Sequence, residues 1–330
     1  MTRHFCTYLD RRYLTRGLAL ADSLRRHVPD VRLWVLCLDD AAYAALSALN
    51  EPHIVPIALD DFERGDEPLR VAKGNRSLVE YYFTCTPSLP LFILRQQPQI
   101  DTVTYLDADL YFFRSPEPLF AEIGERSIAI VPHRFPESMR HWEKCGIFNV
   151  GWLTFRRDAN GLACLEWWRE RCLDWCYDRV EPDRFADQKY LDDWPKRFEG
   201  VHIIHHRGAN VASWNVLGHS ITKGRDGVLI DDQELIFFHF HHLKQRTSWL
   251  FDTDFPIHAV KPNRVVKRHI FSPYLDELER QVRVASRLTA IDDAPAIRES
   301  LQGNAPIRFR QLLRDVAAGK SLVYVNGWVC

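Results

Sequence analysis

The first sixty residues alternate between short apolar runs rich in branched side chains and longer segments with helical spacing. The apolar runs read HFCTYL, VRLWVLCL and HIVPIAL, and the segments between them read YLTRGLALADSLRRH and DAAYAALSAL. The first helix is predicted from Leu14 to His27, because Leu18, Ala21, Leu24 and Val28 recur at steps of three and four residues and Pro29 ends the pattern. This order is typical of βαβ units around a mainly parallel sheet, so we predict a Rossmann-like α/β half.

Length and composition limit what such a sheet can belong to. At 330 residues, of which 46% are hydrophobic, the chain can bury the core of one large domain or of two modest ones. A formal net charge of −1 gives no reason to expect a nucleic-acid partner. No apolar stretch reaches the roughly 18 to 20 residues of a membrane span, and the N-terminus lacks a signal-peptide pattern, so a cytoplasmic location is expected.

Eight cysteines are scattered through the chain, and they do not form the paired CxxC clusters of a structural zinc site. Cys164, Cys172 and Cys176 fall at helical spacing beside Trp168 and Trp175, so a metal or redox cluster is one alternative there. Packing as reduced core thiols is the interpretation that their apolar surroundings favour.

The rest of the chain departs from simple alternation. Leu78 to Arg95 are aromatic and apolar, and we expect Pro87 and Pro90 to break this segment. Strands are predicted for TVTYL, SIAIVPH, GIFNVGWLTFR, VHIIHH and LIFFHFHH, and a long helix for ANGLACLEWWRERCLDWCYDR. Beyond Lys261 the chain becomes helical and basic, so we predict one α/β domain with a C-terminal helical appendage.

Two carboxylates, Asp107 and Asp109, follow the predicted strand from Val103 to Leu106 with only Ala108 between them. On an extended strand, residues i and i+2 face the same side and lie roughly 6.5 Å apart, so the two acids can converge on one cation. Ligands of open α/β sheets bind beyond the carboxyl ends of the strands, which is where this pair falls. A solvated strand end is the alternative, although the apolar LYFF that follows at once speaks against it.

Three histidines, His239, His241 and His242, end an aromatic strand shortly before Lys244. Two carboxylates and an imidazole suit manganese better than calcium. His239 and His241 share a strand face, whereas His242 points away, so the first two are the candidate ligands. Satisfied core or edge histidines are the alternative.

Two further segments carry polar side chains suited to a polyhydroxylated ligand. Asp187 and Gln188 open a short helix-like segment, where Asp187 is either a sugar contact or a helix cap. Asn149 and Gly151 interrupt a strand, and a glycine inside a strand marks either the close approach of a ligand or a bulge.

Together these elements resemble the retaining nucleotide-sugar glycosyltransferases of the GT-A fold, and most of all glycosyltransferase family 8. The YLDAD stretch that ends at Asp109 matches that family's hallmark strand, and FNVG, which ends at Gly151, matches its FNAG landmark. The DQ pair that ends at Gln188 is also present, and HFHHLK, which ends at Lys244, resembles HFxGxxKPW without its glycine and Pro-Trp. These landmarks keep the family's order over roughly residues 3 to 250.

The resemblance implies a nucleotide-sugar donor, with a UDP-sugar favoured, and a saccharide acceptor. It implies that Mn²⁺ or Mg²⁺ is held by Asp107, Asp109 and either His239 or His241, and that Lys244 adds positive charge at the phosphates. The metal and the lysine would offset the charge of the departing nucleoside diphosphate. The implied enzyme is a retaining hexosyltransferase of polysaccharide biosynthesis.

At the sugar, the resemblance assigns Gln188 to the face opposite the leaving group, Asp187 to Gln188 or the sugar hydroxyls, and Asn149 to the donor or acceptor sugar. Its opening strand and helix would hold the base and ribose. The implied nucleotide contacts are Thr7, Tyr8 and Asp10, besides Asp107 and Lys244. The segment that begins at Lys73 replaces the family's usual arginine-bearing helix, and we predict Lys73, Arg76 and Ser77 there as donor contacts.

The resemblance also divides the chain into a GT-A domain over residues 1–260 and a helical extension over residues 261–330. Within the domain, residues 1–113 form the nucleotide-binding half and residues 114–260 the acceptor half. For the basic extension, a solvated helix face stands against peripheral docking on an anionic membrane that holds a lipid-linked acceptor. The rival functions are a sugar-phosphate nucleotidyltransferase, which the glycine-poor CTYLDRRYLTRG disfavours, and a catalytically silent nucleotide-sugar binder.

Overall fold

The structure of the protein is a computed structural model that describes residues 2–258, 260–288, 309–325 and 327–329. Its strands in chain order are β1 (Arg3–Leu9), β2 (Val31–Cys37), β3 (Ile54–Ala58), β4 (Thr102–Leu106), β5 (Leu110–Phe112), β6 (Ile128–Pro132), β7 (Phe148–Arg156), β8 (Val201–Ile203), β9 (Val211–Ala212), β10 (Ile221–Lys223), β11 (Val228–Ile230), β12 (Gln233–Glu234), β13 (Phe237–His239), β14 (Lys244–Gln245), β15 (Leu250–Asp252), β16 (Ser321–Val325) and β17 (Trp328–Val329).

The α-helices are α1 (Leu14–His27), α2 (Asp40–Leu49), α3 (Leu59–Glu63), α4 (Glu67–Asn75), α5 (Leu78–Gln96), α6 (Glu117–Ile123), α7 (Ala159–Asp174), α8 (Trp194–Arg197), α9 (Arg264–Val266), α10 (Ser272–Leu288) and α11 (Phe309–Ala317). Short 3₁₀ helices cover Glu137–Cys145, Lys189–Asp193, Val216–Gly218 and Phe255–His258, and a π-helical turn covers Lys267–Phe271. The predicted first helix from Leu14 to His27 is confirmed at both ends.

The chain forms two compact units, each assembled from separate segments. The first unit consists of Met1–Leu9, Val28–Ala108 and Pro116–His206. The second unit consists of Asp10–His27, Asp109–Ser115 and Arg207–Cys330. The domain boundaries predicted from the sequence stay predictions. Beyond residue 260, the described part of the chain contains strands β16 and β17 as well as helices.

The first unit is built on a seven-stranded sheet with the order β3-β2-β1-β4-β7-β6-β8. The first four strands in this order, β3, β2, β1 and β4, are parallel to one another, and β7 is antiparallel to both β4 and β6. Helices cover the sheet, and their starts follow local chemistry: Asp39 accepts the Ala42 N–H at 2.8 Å to cap α2, and Ser77 and Glu80 form a capping box on α5. The predicted mainly parallel α/β sheet is confirmed.

Helix α5 corrects one prediction, because it runs unbroken through Pro87 and Pro90. A proline inside a helix costs about 3 kcal/mol or more. Here, however, α5 packs on β4 and α7 and buries Leu89, Leu91 and Leu94 almost completely. Each such burial stabilises the fold by about 1.5–3 kcal/mol, so packing outweighs the local cost.

Helix α7 is shorter than the sequence predicts, ending at Asp174 instead of continuing through Arg179. The next residue, Trp175, is extended, and the Arg76 guanidinium donates to the carbonyl oxygens of Cys172 and Leu173 at 3.0 and 2.8 Å. A distant side chain therefore satisfies the last carbonyls of α7, which a local pattern cannot reveal.

The cysteine triplet of this region lies in the hydrophobic core of the first unit. Cys164, Cys172 and Cys176 are fully buried and pack in the same cluster as Trp168. The packing interpretation is thus confirmed. Across the described ranges, no helix is long and apolar enough to cross a membrane.

The described residues of the second unit form three small sheets together with α1, α9, α10 and α11. Their strand orders are β5-β13-β9, β10-β11-β12 and β14-β15-β16-β17. Helix α1 packs on α10, and Arg280 of α10 binds Asp22 of α1 at 2.7 Å and Glu277 at 2.6 Å. Arg283 pairs with Glu279 at 3.2 Å. The choice between a solvated face and membrane docking for the basic extension stays a prediction.

Candidate functional site

A cluster of three potential metal ligands lies in the second unit. Strands β5 and β13 pair antiparallel with Leu110 opposite His239, and the Phe240 N–H donates to the Asp109 carbonyl at 3.0 Å. This pairing places one ligand atom each of Asp109, His239 and His241 within 4.8 Å of one another. The distance from His239 Nε2 to Asp109 Oδ1 is 3.1 Å. The structure therefore brings together three of the four predicted metal ligands.

The Asp109 carboxyl of this cluster is ionised, and a carboxylate is the form that binds a metal. Burial alone would raise the pKa of the Asp109 carboxyl, but His239, His241 and Arg16 outweigh it and hold the pKa well below its usual range. Desolvation and the neighbouring His242 and His239 lower the pKa of His241, so its ring is neutral at pH 7. A carboxylate oxygen and two imidazole nitrogens are a donor set that suits a first-row transition metal such as Mn²⁺.

Trp214 and Arg16 support this cluster, and the sequence pattern assigned neither to the metal site. The Trp214 ring lies against His239 and His241, with centroid distances of 5.1 and 5.7 Å and steep interplanar angles. Arg16 Nη2 donates to the Leu243 carbonyl at 2.6 Å, one residue before Lys244. Packing and a main-chain hydrogen bond therefore both restrain the segment that carries the histidines.

His242 adopts a backbone conformation typical of glycine, the residue that this segment lacks relative to the family's motif. Its φ of +54° is left-handed, a conformation that glycine adopts most readily, and the Leu243 N–H closes the turn onto the Phe240 carbonyl at 3.2 Å. His242 is not among the three clustered ligands, in agreement with its predicted outward direction. Lys244 follows at the start of β14 with an exposed side chain.

Asp107 belongs to the first unit and is not among the three clustered ligands. The Tyr105 hydroxyl donates to Asp107 Oδ1 at 2.9 Å, and the Asp107 N–H donates to the Gly151 carbonyl at 3.3 Å. Because β4 ends at Leu106 and a turn follows, the two acids do not share one extended strand as the sequence suggested. Their convergence on one cation stays a prediction.

Asp187 is buried in the first unit among hydroxyl groups. The Thr86 hydroxyl is hydrogen-bonded to its carboxyl and lies 3.3 Å from the Tyr8 hydroxyl, while Trp168 Nε1 donates to the Asp187 main-chain oxygen at 2.8 Å. Burial raises the pKa of Asp187 to about 7, with the Asp107 charge adding to the rise and the Thr86 hydrogen bond opposing it. The following 3₁₀ helix has no side-chain cap, so the helix-cap alternative for Asp187 is wrong.

Gln188 and Asn149 form a second cluster, also in the first unit. Asn149 Nδ2 donates to Gln188 Oε1 at 3.1 Å, and Gln188 Nε2 donates to the Cys145 carbonyl at 3.0 Å. His133 adjoins them, with Nε2 3.2 Å from Asn149 Nδ2. His133 was not predicted, because nothing in VPHRF signals a residue that meets Asn149 across the sheet. We call Asn149, Gln188 and His133 the amide cluster.

A β-bulge positions Asn149 in this cluster. Ile130 pairs with Leu153, but the next residue, Val131, pairs with Asn149, so β7 has three extra residues at this point. The Gly151 N–H turns back to the Asn149 Oδ1 at 3.0 Å. This register shift confirms the bulge, which was one of the two alternatives for Gly151. Strand β7 itself runs continuously through the glycine.

The other predicted contacts occupy varied settings. Thr7 is buried on β1, and its hydroxyl has no hydrogen-bond partner among the described residues. Asp10 accepts from the Arg12 and Tyr13 N–H groups at 2.9 and 3.2 Å, just ahead of α1. Lys73 pairs with the buried Glu63 at 2.8 Å. Lys73 and Arg76 thus have structural roles within the first unit.

Comparison with solved structures shows the class of fold. The chain matches a galactosyltransferase, LgtC, solved in complex with donor and acceptor sugar analogs, at 18% identity and a TM-score of 0.51 over 91% of this chain and 100% of that chain. An active-site variant of LgtC matches with the same score at 16% identity. The fold is that of the GT-A glycosyltransferases, so the predicted resemblance is confirmed at the level of the fold.

Comparison with curated proteins shows the family. The uncharacterized protein YfnD of Bacillus subtilis is 30% identical over 284 residues, which cover 85% of this chain and 90% of YfnD. The uncharacterized protein YfnF of the same organism is 33% identical over 251 residues, or 73% of this chain and 81% of YfnF. The chain belongs to the family of these two proteins. A scan of protein-family models gives no match.

Proposed function

We propose that this protein is a metal-dependent hexosyltransferase that moves a sugar from a UDP-sugar to a glycan or lipid-linked saccharide, with retention at the anomeric carbon. The observation that carries the proposal is the Asp109–His239–His241 cluster on a GT-A fold. Two sets of residues have roles in it, one in each compact unit. The proposed setting is polysaccharide biosynthesis at the cytoplasmic side.

The metal set lies in the second unit. Asp109, His239 and His241 would hold Mn²⁺ or Mg²⁺, and their mixed oxygen and nitrogen donors favour Mn²⁺. The family resemblance adds Asp107 to the proposed metal ligands. When bound, the metal acts as a Lewis acid on the diphosphate of the leaving group. The exposed Lys244 ammonium binds the phosphates as a point charge.

The sugar set lies in the first unit. Gln188 presents its amide to the sugar, Asn149 holds that amide, and Asp187 binds sugar hydroxyls or orients Gln188. The active-site variant of LgtC carries a glutamine-to-glutamate substitution, which supports an active-site role for a glutamine in this fold. In the retaining reaction, the acceptor hydroxyl attacks from the leaving-group face and its proton passes to a diphosphate oxygen. Thr7, Tyr8 and Asp10 are proposed to hold the nucleotide.

The first test is nucleotide and metal binding measured by thermal unfolding with UDP, GDP, CDP or buffer, each with and without Mn²⁺. We expect UDP to raise the melting temperature only when Mn²⁺ is present, because a ligand that binds the native state stabilises it. Asp109→Asn should remove the Mn²⁺ dependence. Unchanged melting with every nucleotide, in either condition, would contradict the proposal.

A turnover assay separates the proposal from its rivals. The intact protein with Mn²⁺ and UDP-glucose or UDP-galactose should release UDP, and release should rise with a saccharide acceptor. Binding of UDP without turnover would identify a silent binder instead. Formation of a nucleotide sugar from UTP and a sugar 1-phosphate would identify a nucleotidyltransferase.

A further inference from the structure

His133 is a buried histidine of the first unit that the sequence did not connect with the site. It follows β6 directly and is only 5% exposed. Its ring stacks on Phe135 with a centroid distance of 4.7 Å and an interplanar angle of 11°. Its main-chain N–H donates to the Ile147 carbonyl at 3.0 Å. Backbone and ring are therefore both held in one place.

The surroundings of the His133 ring determine its tautomer. Nδ1 lies 3.3 Å from the Ile147 carbonyl oxygen, which can only accept a hydrogen bond. Nδ1 must therefore carry the proton, and the neutral ring offers the lone pair of Nε2. That lone pair faces Asn149 Nδ2 at 3.2 Å. His133 thus accepts a hydrogen bond from the Asn149 amide.

The Asn149 amide has only one orientation that satisfies its partners. Its NH₂ group donates to His133 Nε2 and to Gln188 Oε1, and its oxygen accepts from the Gly151 N–H. A flipped amide would set oxygen against the two acceptors and NH₂ against a donor. All three contacts would become repulsive, so His133 helps to fix which end of Asn149 meets Gln188.

Both polar atoms of the Gln188 side-chain amide are hydrogen-bonded. Its oxygen accepts from Asn149, and its nitrogen donates to the Cys145 carbonyl. Gly146 makes room for it, because a Cβ at that residue would lie 3.2 Å from Gln188 Cγ and its φ is +132°. Without the bond from Asn149, only the Cys145 contact would restrain the amide in this cluster.

We propose that His133 is a positioning residue that sets the amide orientation of Gln188 through Asn149. The inference rests on the proposed function, in which Gln188 presents its amide to the sugar. It predicts that an acceptor at the position of His133 Nε2 is needed for full kcat. The imidazole ring itself and its contact with the Ile147 carbonyl are not sufficient for full kcat.

Two substitutions separate these contacts. His133→Gln can place an amide oxygen near the position of Nε2 and so keep the bond to Asn149. His133→Asn is shorter and can keep only the contact near Nδ1 with the Ile147 carbonyl. For release of UDP from UDP-glucose or UDP-galactose with Mn²⁺, we expect His133→Asn to lower kcat about 10- to 100-fold, because misplacement of catalytic groups by about 1 Å costs this much. KM for the donor should stay within about threefold, and His133→Gln should keep most of kcat.

Matched controls come from His202, which lies in the same unit and binds Glu122 at 2.9 Å. His202→Asn and His202→Gln should leave kcat within about twofold of the wild type. If His133→Asn and His133→Gln lose kcat equally, or if both keep it, the positioning role is refuted. The positioning role is also refuted if the decrease in kcat parallels the decrease in melting temperature across the four variants.

A second readout does not depend on turnover. In ¹⁵N-labelled full-length protein, Gln188→Glu identifies the side-chain NH₂ signals of Gln188, and their exchange with solvent reports how firmly the amide is held. We expect faster exchange in His133→Asn and wild-type exchange in His133→Gln. If the wild type shows no turnover but this difference appears, the proposed function fails while the relay stands. Equal exchange in all three proteins overturns the relay.

Discussion

The metal cluster and the amide cluster are both compact groups of polar side chains, but they are stabilised in opposite ways. In the amide cluster, neutral donors meet acceptors, as when Asn149 reaches Gln188 at 3.1 Å. In the metal cluster, Asp109, His239 and His241 turn ligand atoms toward one another within 4.8 Å. The first arrangement is complete without a ligand. The second brings together three groups that can each ligate a cation.

This contrast indicates a division of labour. A cluster already satisfied by hydrogen bonds holds a fixed geometry, which suits the orientation of a neutral sugar. A cluster of metal ligands gains positive charge when a metal binds. Positive charge suits a leaving group that gains negative charge. Substitutions in the two clusters should therefore differ in their dependence on Mn²⁺.

The largest effect is expected from His239→Ala, which breaks the metal cluster. It removes one ligand and leaves the buried Asp109 without its 3.1 Å partner. We expect kcat/KM for UDP-sugar turnover to fall about 10²- to 10³-fold, since metal catalysis supplies several kcal/mol. Calorimetric titration should show Mn²⁺ affinity reduced in parallel. His242→Ala, outside the cluster, is the control, and equal Mn²⁺ affinity in all three proteins would disprove the metal assignment.

Gln188→Ala should break the amide cluster without affecting metal binding. The substitution removes the group proposed to face the sugar and the bonds to Asn149 and the Cys145 carbonyl. We expect kcat to fall about 100-fold while Mn²⁺ affinity is unchanged. Steady-state kinetics and calorimetry measure the two effects separately. The exposed Gln99→Ala is the matched control; a parallel loss of Mn²⁺ affinity in Gln188→Ala would refute the division of labour.

The pH dependence of stability sharpens the comparison at Asp187, whose pKa burial raises to about 7. An unfolded aspartate titrates near 3.9, so between these values the folded state holds a proton that the unfolded state has lost. The stabilisation is present at low pH and is lost as pH rises to 7. We expect this group to lower the free energy of unfolding by about 2 kcal/mol between pH 5 and pH 7.

Asp187→Asn should remove this dependence, because an amide stays neutral throughout. Urea unfolding of the wild type and the variant at pH 5, 6, 7 and 8 measures it, with the exposed Asp183→Asn as control. The difference between wild type and Asp187→Asn should grow from pH 5 to pH 7 and then level off. A difference that is constant over the whole range would mean that Asp187 is ionised in the folded protein throughout.

The smallest effect is expected for Gly146→Ala, which disturbs the amide cluster through its backbone. The φ of +132° and the 3.2 Å approach of Gln188 Cγ both oppose a methyl group. We expect a loss of about 1–2 kcal/mol in the free energy of unfolding and a several-fold lower kcat. Gly74→Ala in α4 has open space and should be neutral or slightly stabilising. If the two variants unfold alike in urea, Gly146 is not needed for this close approach.

The sequence predicted those parts of the fold whose causes are local. The alternation of β1, α1, β2, α2 and β3 follows from short-range periodicity, and the bounds of α1 agree with the structure at both ends. The unbroken α5 was not predictable, because burial of residues such as Leu94 against distant elements decides it. The same applies to the end of α7, which depends on Arg76, a residue far away in the chain that directly follows α4.

The site shows the same limit. The residue types at Asp109, His239 and His241 indicated a metal, since carboxylate and imidazole ligands are chemically distinctive. Their meeting depends on the pairing of β5 with β13, residues far apart in the chain. His133 carried no signal, because a histidine after a strand is common and its bond to Asn149 depends on a bulge in β7.

The half-buried thiol of Cys145 gives the amide cluster a natural point of attachment for a chemical probe. The main-chain carbonyl of Cys145 accepts a hydrogen bond from Gln188. The other six described cysteines are buried. Burial raises the pKa of Cys145, so its alkylation should be slow and sensitive to small changes in exposure. With Cys330 replaced by serine, the labelling rate at Cys145 would show in real time whether a nucleotide sugar or an acceptor covers this corner of the first unit, without a fluorescent substrate or a new cysteine.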